Sequence, residues 1–215
     1  MRDDRQEKLF NFLNAVAVVP VLTIEDRATA VPLAKALVAG GLTTLEVTLR
    51  TKAGADCIRA IAGEVEGANV GAGTVLDRRQ VDEAVASGAK FLVSPGATPG
   101  LVAAARDCPV PFLPGVATAG EAMTLAEAGF AFLKFFPAEP AGGIAYLKAL
   151  AAPLPNLRFC PTGGIGAGNA PDYLALANVI CVGGSWVAPH DALAARDWAL
   201  ITALSREAAK LKAGR

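Results

Sequence analysis

The sequence predicts an α/β fold, a (β/α)8 barrel of the TIM type in one domain over 1–215, with an extra N-terminal helix within 1–14. Three observations carry this. Apolar strand-like runs alternate with Ala-rich helical stretches roughly two dozen residues apart, the rhythm of repeated βα units. Eight such units fit the chain, and eight is a number that closes a barrel naturally. No linker or low-complexity segment divides it. An open doubly wound sheet is the competing architecture, weakened because no G-x-G-x-x-G run opens the first helix.

In order, the predicted strands are 16–23, 43–49, 69–74, 91–95, 111–116, 132–137, 158–163 and 179–184. Helices are predicted near 26–39, 54–65, 77–87, 99–107, 119–128, 143–151, 171–176 and 191–212, with the extra one over 4–14. Glycines punctuate the phasing. Gly40-Gly41, Gly67, Gly88 and Gly129 each follow a helical stretch, where a C-terminal cap favours a left-handed residue.

Composition excludes several function classes. With 53% apolar residues the chain can bury a sizeable core. Its 20 basic and 20 acidic residues balance, so nothing points to a nucleic acid or an anionic membrane as partner. Cys57, Cys108, Cys160 and Cys181 are scattered without a C-x-x-C pair, which argues against a zinc site or a disulfide framework and fits a reducing cytoplasm. The apolar run from Leu9 to Ile24 imitates a signal peptide. Its leader carries Asp3, Asp4 and Glu7, however, and Asn11, Asn14 and Pro20 interrupt the run, so neither secretion nor a membrane span is expected.

Chemistry concentrates at predicted strand ends. Lys134 lies in an apolar strand, flanked by Phe132, Phe135 and Phe136. An apolar setting of that kind suits a lysine that does Schiff-base chemistry with a ketone or aldehyde. A gatekeeper lysine interrupting a sticky strand would look the same locally. In the second strand, Leu45, Val47 and Leu49 share one parity and Glu46, Thr48 and Arg50 the other. Three polar side chains make a poor barrel core but are tolerated at the open C-terminal mouth. The alternative is a buried Glu–Arg pair that fixes strand register. The third strand ends Gly71-Ala72-Gly73-Thr74, offering either a hydroxyl at the mouth or an N-cap for the next helix. The seventh and eighth strands end in Thr162-Gly163-Gly164 and Gly183-Gly184-Ser185, where backbone N–H groups suit a phosphate.

His190 is the sole histidine and is placed peripherally, at the start of the last helix. A Ser–His–Asp triad and a His-rich metal site are thereby close to excluded. Proton transfer falls to carboxylates and lysine, with Glu46 and Lys134 the natural pair.

The runs LEVTLRT (45–51), VGAGTV (70–75), SPG (94–96), KFFPAE (134–139), FCPTGGI (159–165) and GGSW (183–186) extend in order over nearly the whole chain. In them the sequence closely resembles the bacterial 2-dehydro-3-deoxy-6-phosphogluconate aldolases, class I aldolases of the Entner–Doudoroff pathway. The resemblance implies that Lys134 forms the Schiff base and Glu46 is the general acid/base. It gives Arg50 and Thr74 to the pyruvate carboxylate, and Gly163, Gly164, Gly184 and Ser185 to the phosphate. Thr162 and Pro95 would line the cavity, with Phe136 beside the lysine in the same substrate-binding set. The implied reaction is retro-aldol cleavage to pyruvate and glyceraldehyde 3-phosphate, with 4-hydroxy-2-oxoglutarate as a second substrate. The implied protein is a cytoplasmic homotrimer needing no metal or other cofactor. Ala97 after Ser-Pro-Gly, where relatives often carry something bulkier, and the N-terminus depart from the pattern. Rival readings are an aldolase for the galactonate epimer, a phosphate-binding barrel doing isomerase or decarboxylase chemistry, and a non-enzymatic phosphosugar-binding barrel.

Overall fold

Short apolar runs bounded by glycine and proline become strands buried on both faces, the pattern of a parallel sheet covered by helices. The computed structural model describes residues 4–211. Its strands are β1 (Val18–Leu22), β2 (Thr44–Thr48), β3 (Asn69–Gly73), β4 (Leu92–Val93), β5 (Phe112–Leu113), β6 (Gly115–Val116), β7 (Phe132–Phe135), β8 (Arg158–Pro161) and β9 (Val182–Gly184). All strand pairs are parallel. One sheet runs β5-β4-β3-β2-β1-β9 and a second runs β6-β7-β8. The result is an α/β molecule with a curled parallel sheet.

The strand expected over 111–116 is therefore two pieces, cut at Pro114, whose ring nitrogen has no hydrogen to give a ladder. Its carbonyl still accepts from the Lys134 N–H at 2.9 Å, which ties the cut to β7. Single bridges at Phe159–Val179 and Thr162–Gly183 link β8 to the chain leading through β9.

Parallel strands need crossover connections, and helices supply them. They are α1 (Asp4–Asn14), α2 (Arg27–Ala39), α3 (Gly54–Glu64), α4 (Arg78–Ala86), α5 (Pro99–Arg106), α6 (Ala119–Glu127), α7 (Gly143–Ala151), α8 (Ala170–Leu174), α9 (His190–Ala194) and α10 (Trp198–Lys210). Side-chain caps set several starts. Asp26, Asp77, Thr98, Thr118 and Asp197 each accept a backbone N–H of the first turn, and Thr118 closes a capping box with Glu121. Gly41, Gly67, Gly88 and Gly129 adopt the left-handed φ expected of helix stops. The single last helix expected over 191–212 is instead two, with residue 212 outside the described residues. Arg196 turns left-handed (φ 53°) and Asp197 caps afresh through the Leu200 N–H at 2.9 Å.

Helix α1 lies against the strand starts. The Thr44 hydroxyl donates to the Phe12 carbonyl at 2.8 Å, and the Ala131 N–H donates to Gln6 Oε1 at 3.1 Å. The rings of Phe10 and Phe132 stand 5.9 Å apart, and those of Phe12 and Phe91 stand 5.8 Å apart. Polar strand-end residues are thus left to the opposite side. Among the described residues no helix is long and apolar enough to cross a membrane.

Candidate active site

Strands β2 and β7 do not pair, yet they send Glu46 and Lys134 towards each other across the interior. Lys134 Nζ donates to Glu46 Oε1 at 3.1 Å. The residues are 6% and 2% exposed, so this is an ion pair withdrawn from water. A gatekeeper lysine would face solvent, and that alternative is overturned. So is the register pair of Glu46 with Arg50: the Arg50 guanidinium lies past the end of β2 and donates to Thr23 Oγ1 at 2.8 Å. The Phe136 ring centroid stands 5.3 Å from Lys134 Nζ, within reach of a cation–π contact.

Glycine makes the room. A Cβ on Gly73, in the neighbouring strand β3, would collide with Glu46 Oε1 and Cγ. Immediately after it, Thr74 takes φ 59°, a true outlier for a β-branched residue. The N-cap of α4 is Asp77, whose carboxylate accepts the Gln80 N–H at 2.8 Å. The N-cap reading of Thr74 is thereby ruled out. Thr74 thus carries backbone strain without a capping role, directly after the glycine that packs on Glu46.

A cavity of about 610 Å³ opens at the C-terminal strand ends. Arg50, Phe136, Thr162, Gly163, Gly164, Gly184 and Ser185 share its wall. Lys134 and Glu46 do not line it, nor do Thr74 and Pro95. Phe136 joins the two parts, since its ring both borders the cavity and approaches Lys134 Nζ. Pro95 is half-buried, its carbonyl packed so closely on Gly115 that no Cβ would fit there. Gly163 and Gly164 have φ of 101° and 79°, a turn that only glycine takes without strain. Gly183 is required by Thr162, whose hydroxyl occupies the space of a Cβ.

Several wall residues were not assigned to the site from the sequence, Thr23, Trp186 and His190 among them. Thr23 directly follows β1 and holds Arg50; its place just past a strand end was a usable signal. Trp186 packs its ring against Gly184. His190, expected at the periphery, does open a helix there, but it also borders the cavity. Its side chain is exposed, with Nδ1 3.6 Å from Asp191 Oδ1.

Known proteins resemble this chain along most of its length. The family model described as KDPG and KHG aldolase matches residues 9–204. The KHG/KDPG aldolase of Escherichia coli K12 is 52% identical over 198 residues, 92% of this chain and 93% of that one. A KDPG aldolase structure from Legionella pneumophila, with pyruvate captured at low pH as a covalent carbinolamine intermediate, superposes with TM-score 0.91 at 42% identity; 93% of this chain and 97% of that chain are covered. The Zymomonas mobilis ZM4 2-keto-3-deoxy-6-phosphogluconate aldolase with 3-phosphoglycerate gives TM-score 0.91 at 46% identity, covering 96% and 97%. With a buried lysine–glutamate pair beneath a glycine-walled cavity, and this likeness along nearly its whole length, the chain belongs to the KDPG and KHG aldolase family.

Proposed function

We propose that this chain is a class I aldolase, a lyase that reversibly cleaves 2-dehydro-3-deoxy-6-phosphogluconate to pyruvate and glyceraldehyde 3-phosphate. The observation that carries the reading is the buried Lys134–Glu46 contact of 3.1 Å beside the cavity. A lysine with a carboxylate one proton hop away can be both nucleophile and proton donor. The covalent pyruvate of the Legionella relative and the phosphoglycerate of the Zymomonas relative supply the matching ligand chemistry. Cleavage of 4-hydroxy-2-oxoglutarate is a second activity of the same site. The E. coli relative carries both names, and both substrates present the same 2-oxo-4-hydroxy acid unit.

Lys134 passes a proton to Glu46 and its free amine attacks the C2 ketone. The carbinolamine hydroxyl takes that proton from Glu46 and leaves as water, giving the protonated imine. The Glu46 carboxylate then removes the C4 hydroxyl proton. The C3–C4 bond breaks, its electron pair flows into the imine, and glyceraldehyde 3-phosphate departs. Glu46 returns the proton to the enamine carbon, and water hydrolyses the imine to release pyruvate and the amine. Arg50, aimed by Thr23, grips the substrate carboxylate with Thr74, because a guanidinium matches a carboxylate in two parallel bonds. Gly163, Gly164, Gly184 and Ser185 hold the phosphate. Thr162, Pro95 and Phe136 shape the space between.

We place this site at the mouth of a closed (β/α)8 barrel forming one domain. The bridges from β8 towards β9 and the continuity of β5 with β6 support closure. A cytoplasmic homotrimer is the proposed working form. Its support is the family resemblance, with four scattered cysteines that form no C-x-x-C pair fitting the compartment.

Borohydride reduction with pyruvate, followed by intact-protein mass spectrometry, tests the mechanism on the parent and Lys134→Ala. The expected result is a reduced-pyruvate adduct on the parent alone. No adduct on the parent would remove the imine mechanism and favour isomerase, decarboxylase or binding roles.

A further inference from the structure

We propose that Glu139, held by Tyr173, is a positioning residue that fixes the Gly163–Gly164 turn for the substrate phosphate; it rests on the reading of that turn as the phosphate cradle. Two successive glycines can occupy many backbone conformations, and nothing in their own structure selects φ of 101° and 79°. The selection comes from outside the turn. After β7, the Ala138 N–H donates to the Thr162 carbonyl at 2.8 Å and the Glu139 N–H to the Gly163 carbonyl at 3.1 Å. The Glu139 Cβ and Cγ occupy the space where a side chain on Gly164 would stand. From the other flank, Asn169 Nδ2 donates to the Gly164 carbonyl at 3.1 Å, and Asn169 Oδ1 accepts the Gly166 N–H at 2.8 Å. None of Glu139, Asn169 and Tyr173 borders the cavity.

Glu139 is itself pinned. The hydroxyl of Tyr173, whose residue is wholly buried in α8, donates to Glu139 Oε1. Burial and the adjacent carboxylate hold that phenol far above the usual tyrosine range, so Tyr173 stays a donor throughout the working pH. A carboxylate so close to an anion site would ordinarily repel the ligand. Here its bond to Tyr173 keeps it on the face of Gly164 turned away from the cavity. A pre-formed turn spares the phosphate the cost of ordering two glycines, so the clamp lowers KM for phosphorylated substrate.

The test compares kcat and KM of the parent, Glu139→Ala, Tyr173→Phe and Glu139→Gln on two substrates. One is 2-dehydro-3-deoxy-6-phosphogluconate; the other is 4-hydroxy-2-oxoglutarate, which has no phosphate. Glu139→Ala and Tyr173→Phe are expected to raise KM for the phosphorylated substrate by about fivefold or more with kcat little changed. Their activity on the phosphate-free substrate should stay within about twofold of the parent. Glu139→Gln should behave as the parent, since its amide oxygen still accepts from Tyr173. Equal losses on both substrates, or no change on either, overturns the proposal. Should Glu139→Ala not fold, Tyr173→Phe, which keeps the buried ring, decides alone. Ser185→Glu separates the two levels by putting a like charge in the cradle. If it fails to raise KM selectively for the phosphorylated substrate, the cradle reading itself falls. If it does so while the clamp variants do not, only the clamp falls.

Discussion

Thr74 shows how one residue can be held against its own preference. A left-handed β-branched residue costs on the order of 1–3 kcal/mol, and the fold supports it between Gly73, which clears Glu46, and Val75, whose N–H donates to the Val93 carbonyl at 3.0 Å. Thr74→Gly should therefore stabilise the protein by roughly 1 kcal/mol, after allowance for the added freedom of the unfolded chain, and raise Tm by about 2–4 °C. The same change should lower kcat/KM by about tenfold or more through loss of the hydroxyl. Thermal unfolding and steady-state kinetics on one preparation check both, and a lower Tm would contradict the strain. The sequence offered Thr74 as either cap or ligand and could not choose between them. The choice needed Asp77, which satisfies the helix start and leaves Thr74 without that task.

At the scale of elements, parity along β2 and β7 was legible because strand side chains alternate with period 2. Glu46 and Thr48 are buried on the side read as interior, and Lys134 faces Glu46. Spacing between strands was less legible. The glycines of β3 permit close approach, and only the structure names the neighbours: Gly73 admits Glu46 and Gly71 admits the Phe91 ring. Gly73→Ala should displace Glu46, break its contact with Lys134 and abolish most borohydride-trapped adduct. Gly71→Ala should cost comparable stability, about 1–3 kcal/mol by overpacking, yet retain the adduct per folded molecule. Similar adduct yields from the two variants would show that Gly73 acts only as a packing residue. The break of the last helix at Arg196 was hidden by the helical character of both halves, although Asp197 before an apolar run is a start signal that could have been used.

Over the whole molecule, stability and chemistry occupy opposite strand ends. Helix α1 buries Leu9 and Leu13 completely against the strand starts, the ion pair lies within β2 and β7, and the cavity opens where the strands finish. Leu13→Ala should cost about 2–5 kcal/mol, read by denaturant unfolding, and leave the pyruvate adduct per folded molecule unchanged. Loss of adduct in the folded fraction would show the two ends to be coupled. The sequence by itself determined the alternation of strand and helix, the stops at Gly41, Gly67, Gly88 and Gly129, and the chemical identity of Lys134, Glu46 and the glycine pairs. Each of those is a local property of side-chain period, backbone freedom or motif. Only the tertiary structure decided that Lys134 meets Glu46 rather than solvent, that Arg50 leans on Thr23, and that Glu139 and Tyr173 stand behind the Gly163–Gly164 turn. Those contacts join residues 88, 27 and 34 positions apart, and a distance of that kind is set by how the sheet curls, which no short window of sequence encodes.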